Sequence, residues 1–150
     1  MIVEKLNEEI KLLIGSPQNL LFEGASESDI VDLERRLNKK LPKSFGYFLK
    51  ACNGALLYQT ETILGTKDGE GENQALQVSI TSEKAAQSLP DYLIPFYVGF
   101  DKHYFDARQV KDGEYPVVAW DSEKLETIPV ANSFAEWLVS QILNEFETGQ

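Results

Sequence analysis

The stretch Gly24–Gly54, GASESDIVDLERRLNKKLPKSFGYFLKACNG, decides the fold. Ser26 is followed three residues later by Asp29, a weaker form of the capping box that opens a helix, and Ile30, Leu33 and Leu37 then recur at helical spacing. Leu41-Pro42 closes that helix, because proline inside a helix removes a backbone donor, and the same proline suits the first position of a following helix. Along this next segment Phe45, Phe48, Leu49 and Cys52 face one way before Asn53-Gly54 ends it.

Working outward toward the N-terminus, a linker containing Phe22 and Gly24 precedes the stretch. Before it, Val3, Leu6, Ile10, Leu13 and Ile14 predict one amphipathic helix ending at Gly15-Ser16-Pro17. Glu4, Glu8 and Glu9 lie where a secretory signal would need a positive region and an unbroken apolar core, so the start does not read as a signal peptide.

Toward the C-terminus the pattern changes to β-branched and aromatic residues: Leu56, Leu57, Tyr58, Thr60, Thr62, Ile63 and Leu64 predict strands. Gly65 to Asn73 is glycine-rich and acidic and predicts a surface loop. Val78 and Ile80 predict a short strand and Ser82 to Ser88 a short helix. Leu93 to Phe100, interrupted by Pro95, is a buried strand. A turn at Asp101-Lys102-His103 leads into a returning strand at Tyr104-Phe105. Lys111-Asp112-Gly113-Glu114 turns ahead of Pro116–Trp120, and Asp121 to Glu123 turns back into Glu126 to Ala131. Ser133 with Glu136 forms a full capping box, and Phe134, Trp137, Leu138, Ile142 and Phe146 stripe a closing helix. Helices first, then strands joined by tight turns, then a helix predict an α+β fold with a largely antiparallel sheet, as one domain over residues 1–150.

The composition fits that size: 150 residues, 43% hydrophobic and 25% charged, are enough to bury a core without disulfide or metal staples. The single cysteine, Cys52, can supply no such framework and suits a reducing compartment, so the chain is expected in the cytoplasm. No apolar run reaches the roughly 20 residues of a membrane-spanning helix.

The formal net charge of −10 is unevenly placed. Residues 1–58 hold eight basic and eight acidic side chains, against six and sixteen in residues 59–150. Such a surface repels a phosphate backbone and attracts a basic protein, although acids also serve solubility alone.

Catalytic chemistry finds little support. The chain has one histidine, His103, in a predicted turn, no glycine-flanked serine elbow, and a cysteine on an apolar helix face. Gly65, Gly69 and Gly71 miss the spacing of a phosphate-cradling loop. Asp68, Glu70 and Glu72 alternate as calcium ligands do, but Asn73 and Ser79 stand where an EF-hand needs glycine and glutamate. No catalytic residue, cofactor or metal site is therefore expected. Trp120, beside the acidic turn Asp121-Ser122-Glu123, reads either as a core residue or as an interface anchor.

Taken together, Gly24-Ala25-Ser26, Ile30, Leu33-Glu34, Leu37, Leu41-Pro42, Phe45, Phe48-Leu49 and Asn53-Gly54 resemble the SUKH superfamily, which includes fungal cell-wall-assembly regulators of the Smi/Knr type and many bacterial immunity proteins. Ile94-Pro95-Phe96, Gly99, Asp101, Phe105-Asp106 and Pro116–Trp120 with Asp121 resemble its sheet segments in the same order. The resemblance implies a non-enzymatic α+β domain that binds protein partners: as an immunity protein, a toxin domain, often a nuclease; as a fungal-type scaffold, signalling or cell-wall-synthesis proteins. The absence of long disordered flanks favours the immunity reading. The partner is then expected to be basic and to meet Asp68, Glu70, Glu72, Asp101, Trp120, Asp121 and Glu123, since loops and turns expose these side chains.

Overall fold

The computed structural model describes residues 6, 8–12, 20–58, 61–66, 89–99 and 101–142. The elements are β1 (Leu20–Glu23), α1 (Glu27–Leu37), α2 (Lys43–Ala51), β2 (Cys52–Leu57), β3 (Glu61–Ile63), β4 (Leu93–Val98), β5 (Lys102–Asp106), β6 (Val117–Asp121), β7 (Glu126–Ala131) and α3 (Phe134–Trp137). Residues 8–12 are also helical, as the apolar spacing there predicts. The expected strand at Val78 and Ile80, the helix at Ser82 to Ser88, and Phe146 lie outside the described residues.

The fold is α+β. Its seven strands lie side by side in chain order, each antiparallel to the next. Connections therefore alternate between the two ends of the sheet. The β2–β3, β4–β5 and β6–β7 turns share one end, and the longer β3–β4 and β5–β6 connections leave from the other.

Helix α1 starts where Ser26 and Asp29 place it. The Ser26 hydroxyl accepts from the Asp29 backbone N–H at 3.1 Å while Asp29 Oδ2 accepts from the Ser26 N–H at 3.1 Å, so the box is complete. It ends at Asn38, whose left-handed backbone (φ 57) is one that asparagine adopts more readily than most residues. At α3 the expected full box is half made: Ser133 Oγ accepts from the Glu136 N–H at 3.2 Å, while the Glu136 carboxylate turns to Asn132 Nδ2 at 3.5 Å.

Two expectations shift at the α2–β2 junction. Cys52 is buried as expected, but it is the first residue of β2 and not part of the helix, having already turned to φ −153. Asn53-Gly54 likewise belongs to the strand. Gly54 takes φ 91, a conformation costly for other residues, and the buried Asn53 side chain clamps Thr66 on both sides, accepting from its N–H at 2.7 Å and donating to its hydroxyl at 2.9 Å. Gly24 is needed for a different reason: a Cβ there would collide with the Lys50 carbonyl oxygen where the chain passes α2. The segment read as a linker around Phe22 is in fact the edge strand β1, paired to β2.

One face of the sheet carries the main core. Phe45 and Phe48 of α2 meet Phe96, Phe105 and Phe134, with Phe96 and Phe105 stacked at 4.1 Å and Phe45 at 5.1 Å from both Phe105 and Phe134. Trp137 closes this cluster edge-on to Phe96 at 4.9 Å, and Leu138 and Ile142 continue its buried stripe where residues 138–142 widen into i→i+5 turns. The reverse face holds a smaller cluster of Leu89, Leu93, Tyr104 and Val118, with Tyr92 and Trp120 packed on it.

The helix layer is fixed to the sheet by the β5–β6 connection. Pro42 offers α2 no side-chain cap; Glu114 supplies one from 70 residues away, its carboxylate accepting from the Ser44 N–H and the Ser44 hydroxyl, both at 2.8 Å. The Lys43 N–H donates to the Gly113 carbonyl at 2.9 Å, and the Tyr115 hydroxyl to the Lys40 carbonyl at 2.6 Å. A carboxylate at this position answers both the unpaired N–H groups and the positive end of the helix dipole. Glu114→Ala should therefore destabilise the fold by about 1 to 3 kcal/mol, measured by urea denaturation. Trp137→Ala should cost more, about 3 to 5 kcal/mol, because it opens a cavity in the aromatic cluster.

Candidate partner-binding surface

The end of the sheet that bears the short turns gathers three of the six acids expected to meet a partner: Asp101, Asp121 and Glu123. Asp101 is exposed in the β4–β5 turn, which is closed by the Gly99 N–H donating to the Asp101 carbonyl at 2.9 Å. Asp121 ends β6 opposite Glu126, and Glu123 is exposed in the turn between β6 and β7. Asp121 is partly committed to structure, since Oδ1 accepts from the N–H groups of Glu123 at 3.0 Å and Lys124 at 3.1 Å. Asp68, Glu70 and Glu72 lie outside the described residues; the chain departs toward them from Thr66 and returns at Leu89, both at the opposite end of the sheet.

Trp120 combines both of its expected roles. It is half-buried, packing on the reverse-face cluster while leaving part of its ring accessible. Leu125 and Ile128 in the same hairpin are exposed, and sequence reasoning did not single them out. A leucine inside a turn otherwise made of polar residues was the available signal.

The opposite end of the sheet differs in charge. No Asp or Glu occurs between Glu34 and Glu61, whereas Arg35, Arg36, Lys39, Lys40, Lys43 and Lys50 do. Lys40 and Lys43 meet the β5–β6 connection there, and Arg35, Lys39 and Lys40 line an open cleft of about 450 Å³ with Val31, Glu34 and Asn38. Glu34 Oε2 is turned inward to accept from the Leu41 N–H at 2.7 Å.

The groups with potential for chemistry are built into the core. His103 lies in β5, not in the turn expected for it, because the returning strand already begins at Lys102. It is 6% exposed, and its Nδ1 accepts from Trp137 Nε1–H at 2.9 Å, which requires the neutral ring. Burial of Cys52 pushes its thiol up to about 12, which removes it as a nucleophile. Glu61, 4% exposed, accepts from the Tyr97 hydroxyl, and burial together with that carboxylate raises the Tyr97 phenol. Asp106 is fully buried; burial alone would raise its acid, but hydrogen bonds from Arg108 Nε and Nη2 at 3.1 and 2.9 Å outweigh that and hold it below the usual range. Among the described residues no three His, Cys, Asp or Glu side chains converge as metal ligands, and no helix is long and apolar enough to cross a membrane.

Burial lowers the pKa of His103 below its ordinary 6.5, opposed in part by nearby Asp101. The unfolded chain thus binds a proton more readily than the folded one. The stabilisation from His103 is complete above about pH 6.5 and lost as pH falls below it toward the folded value. Asp106 acts in a lower window, losing its contribution below its ordinary 3.8. Stability measured by urea denaturation should decline from pH 7 to 5, and His103→Gln, which retains an acceptor for Trp137 but does not titrate, should flatten that decline.

Two comparisons place this arrangement among known proteins. A crystal structure of a protein from Pseudomonas syringae pv. tomato superposes with a TM-score of 0.61, covering 93% of this chain and 94% of that one at 18% sequence identity, and so shares the fold. The sequence model of the SMI1 / KNR4 family (SUKH-1) matches residues 24–140, from the glycine that lets the chain pass α2 to the turns that follow α3. The chain belongs to the SMI1/KNR4 family (SUKH-1).

Proposed function

We propose that this chain is a cytoplasmic immunity protein: a non-enzymatic antitoxin that binds the basic nuclease domain of a toxin and neutralises it. Family membership supports a protein-binding role of this kind. The observation that carries the charge of the partner is the gathering of Asp101, Asp121 and Glu123 at the short-turn end of the sheet beside the half-exposed Trp120. Asp68, Glu70 and Glu72 extend the proposed contact set. The interior placement of His103 and Cys52 supports the non-enzymatic reading, because neither side chain reaches solvent in a reactive form. No cofactor or metal enters the proposal.

Acids on turns act over a distance, so their effect belongs mainly in the association rate and weakens with salt. The experiment is to seek a toxin domain encoded beside the gene, co-express the chain with it and measure association kinetics for charge-reversal variants at Asp68, Glu70, Glu72, Asp101, Asp121 and Glu123. Reversal should slow association roughly tenfold or more at low salt and weaken the rescue of growth, while added salt slows the unmodified pair. Unchanged association and full rescue in all six would place the contact elsewhere on the molecule. Failure to bind the toxin domain would turn the reading to a fungal-type regulatory scaffold.

A further inference from the structure

The β6–β7 hairpin concentrates two unfavourable features in one residue. Leu125 has φ 56, in the left-handed region where a bulky side chain is strained, and it is 61% exposed, so burial within the described chain does not offset that strain. The turn itself does not need leucine. Asp121 fixes its backbone through the N–H groups of Glu123 and Lys124, and asparagine or glycine would complete it with less strain. Three residues on, Ile128 is 48% exposed. Trp120, by contrast, already packs against Leu89, Leu93, Tyr104 and Val118.

The surroundings of Leu125 are acidic. Asp121, Glu123 and Glu126 outnumber Lys124 in the same hairpin, and Asp101, followed by Lys102, lies in the neighbouring turn at the same end of the sheet. An exposed apolar side chain among carboxylates fits a pocket ringed by Lys and Arg. A phosphate backbone would be repelled, and so would a second copy of this chain, which brings the same acids. We propose that Leu125 is the apolar anchor that seats this hairpin in a pocket on a basic protein partner, with the surrounding acids steering the encounter. The proposal rests on the reading that these acids face such a partner, and it names Leu125 in place of Trp120 as the residue that holds the complex together.

Anchor and acids leave different kinetic signatures, because a buried anchor governs dissociation and rim charges govern association. The measurement is surface plasmon resonance with the toxin domain that the co-expression experiment identifies, paired with thermal melts of the free chain. Leu125→Asn should raise the melting temperature by a few degrees through relief of backbone strain, yet speed dissociation about tenfold or more with association within about twofold. Leu125→Ala keeps the strained backbone and should speed dissociation equally without raising the melting temperature, which assigns the effect to the side chain. Glu123→Lys should do the reverse, slowing association and sparing dissociation. Wild-type dissociation rates in both Leu125 variants would overturn the anchor while leaving the steering acids in place. A complex in which Glu123→Lys also behaves as wild type would overturn the acidic-face reading, and absence of any complex with the toxin domain would remove both.

Discussion

The carboxylate of Glu114 at the start of α2 is the contact on which the arrangement of layers depends. An α-helix begins with N–H groups that no helical carbonyl can satisfy, and Pro42 has no side-chain oxygen to offer them. Taking the cap from the β5–β6 connection ties the helix to the centre of the sheet, and the bonds from Lys43 to Gly113 and from Tyr115 to Lys40 fix the angle of entry. Phe45 and Phe48 are then delivered onto Phe96, Phe105 and Phe134. A non-directional aromatic core accepts several packings; a few directional bonds at its edge select one.

Local chemistry was legible from the residues, and long-range chemistry was not. Ser26 with Asp29, and Pro42 after Leu41, marked helix boundaries because capping and proline sterics act within a few residues. The turn at Asp121 to Glu123, between Pro116–Trp120 and Glu126–Ala131, likewise located a hairpin. Leu20-Leu21-Phe22 carries no alternation, so β1 read as linker; its strand character comes from pairing with β2, over 30 residues away. Glu114 could not be recognised as a cap because its helix lies 70 residues earlier. The sequence places Lys102 and His103 in a turn although they open β5, since nothing in it states where a hairpin loop will end.

The same division runs through the candidate site. Turn residues are recognisable, and turns expose their acids, so Asp101, Asp121 and Glu123 were accessible to sequence reasoning. That the first lies at the same end as the other two follows from strand order, which only the sheet reveals. For Leu125 the sequence offers only an apolar residue in a polar turn; its left-handed backbone leaves no trace in composition.

Among the described residues, the acidic turns with Asp101, Asp121 and Glu123 and the run of cations between Arg35 and Lys50 lie at different ends of the sheet. A net charge draws a partner nearer, whereas a dipole exerts a torque. In the field of a cationic surface that separation would contribute a torque turning the short-turn end forward. Orientation is ordinarily what makes protein encounters slow, since most collisions present the wrong patch. A chain that arrives already facing the right way spends fewer collisions, an advantage for the immunity role proposed above.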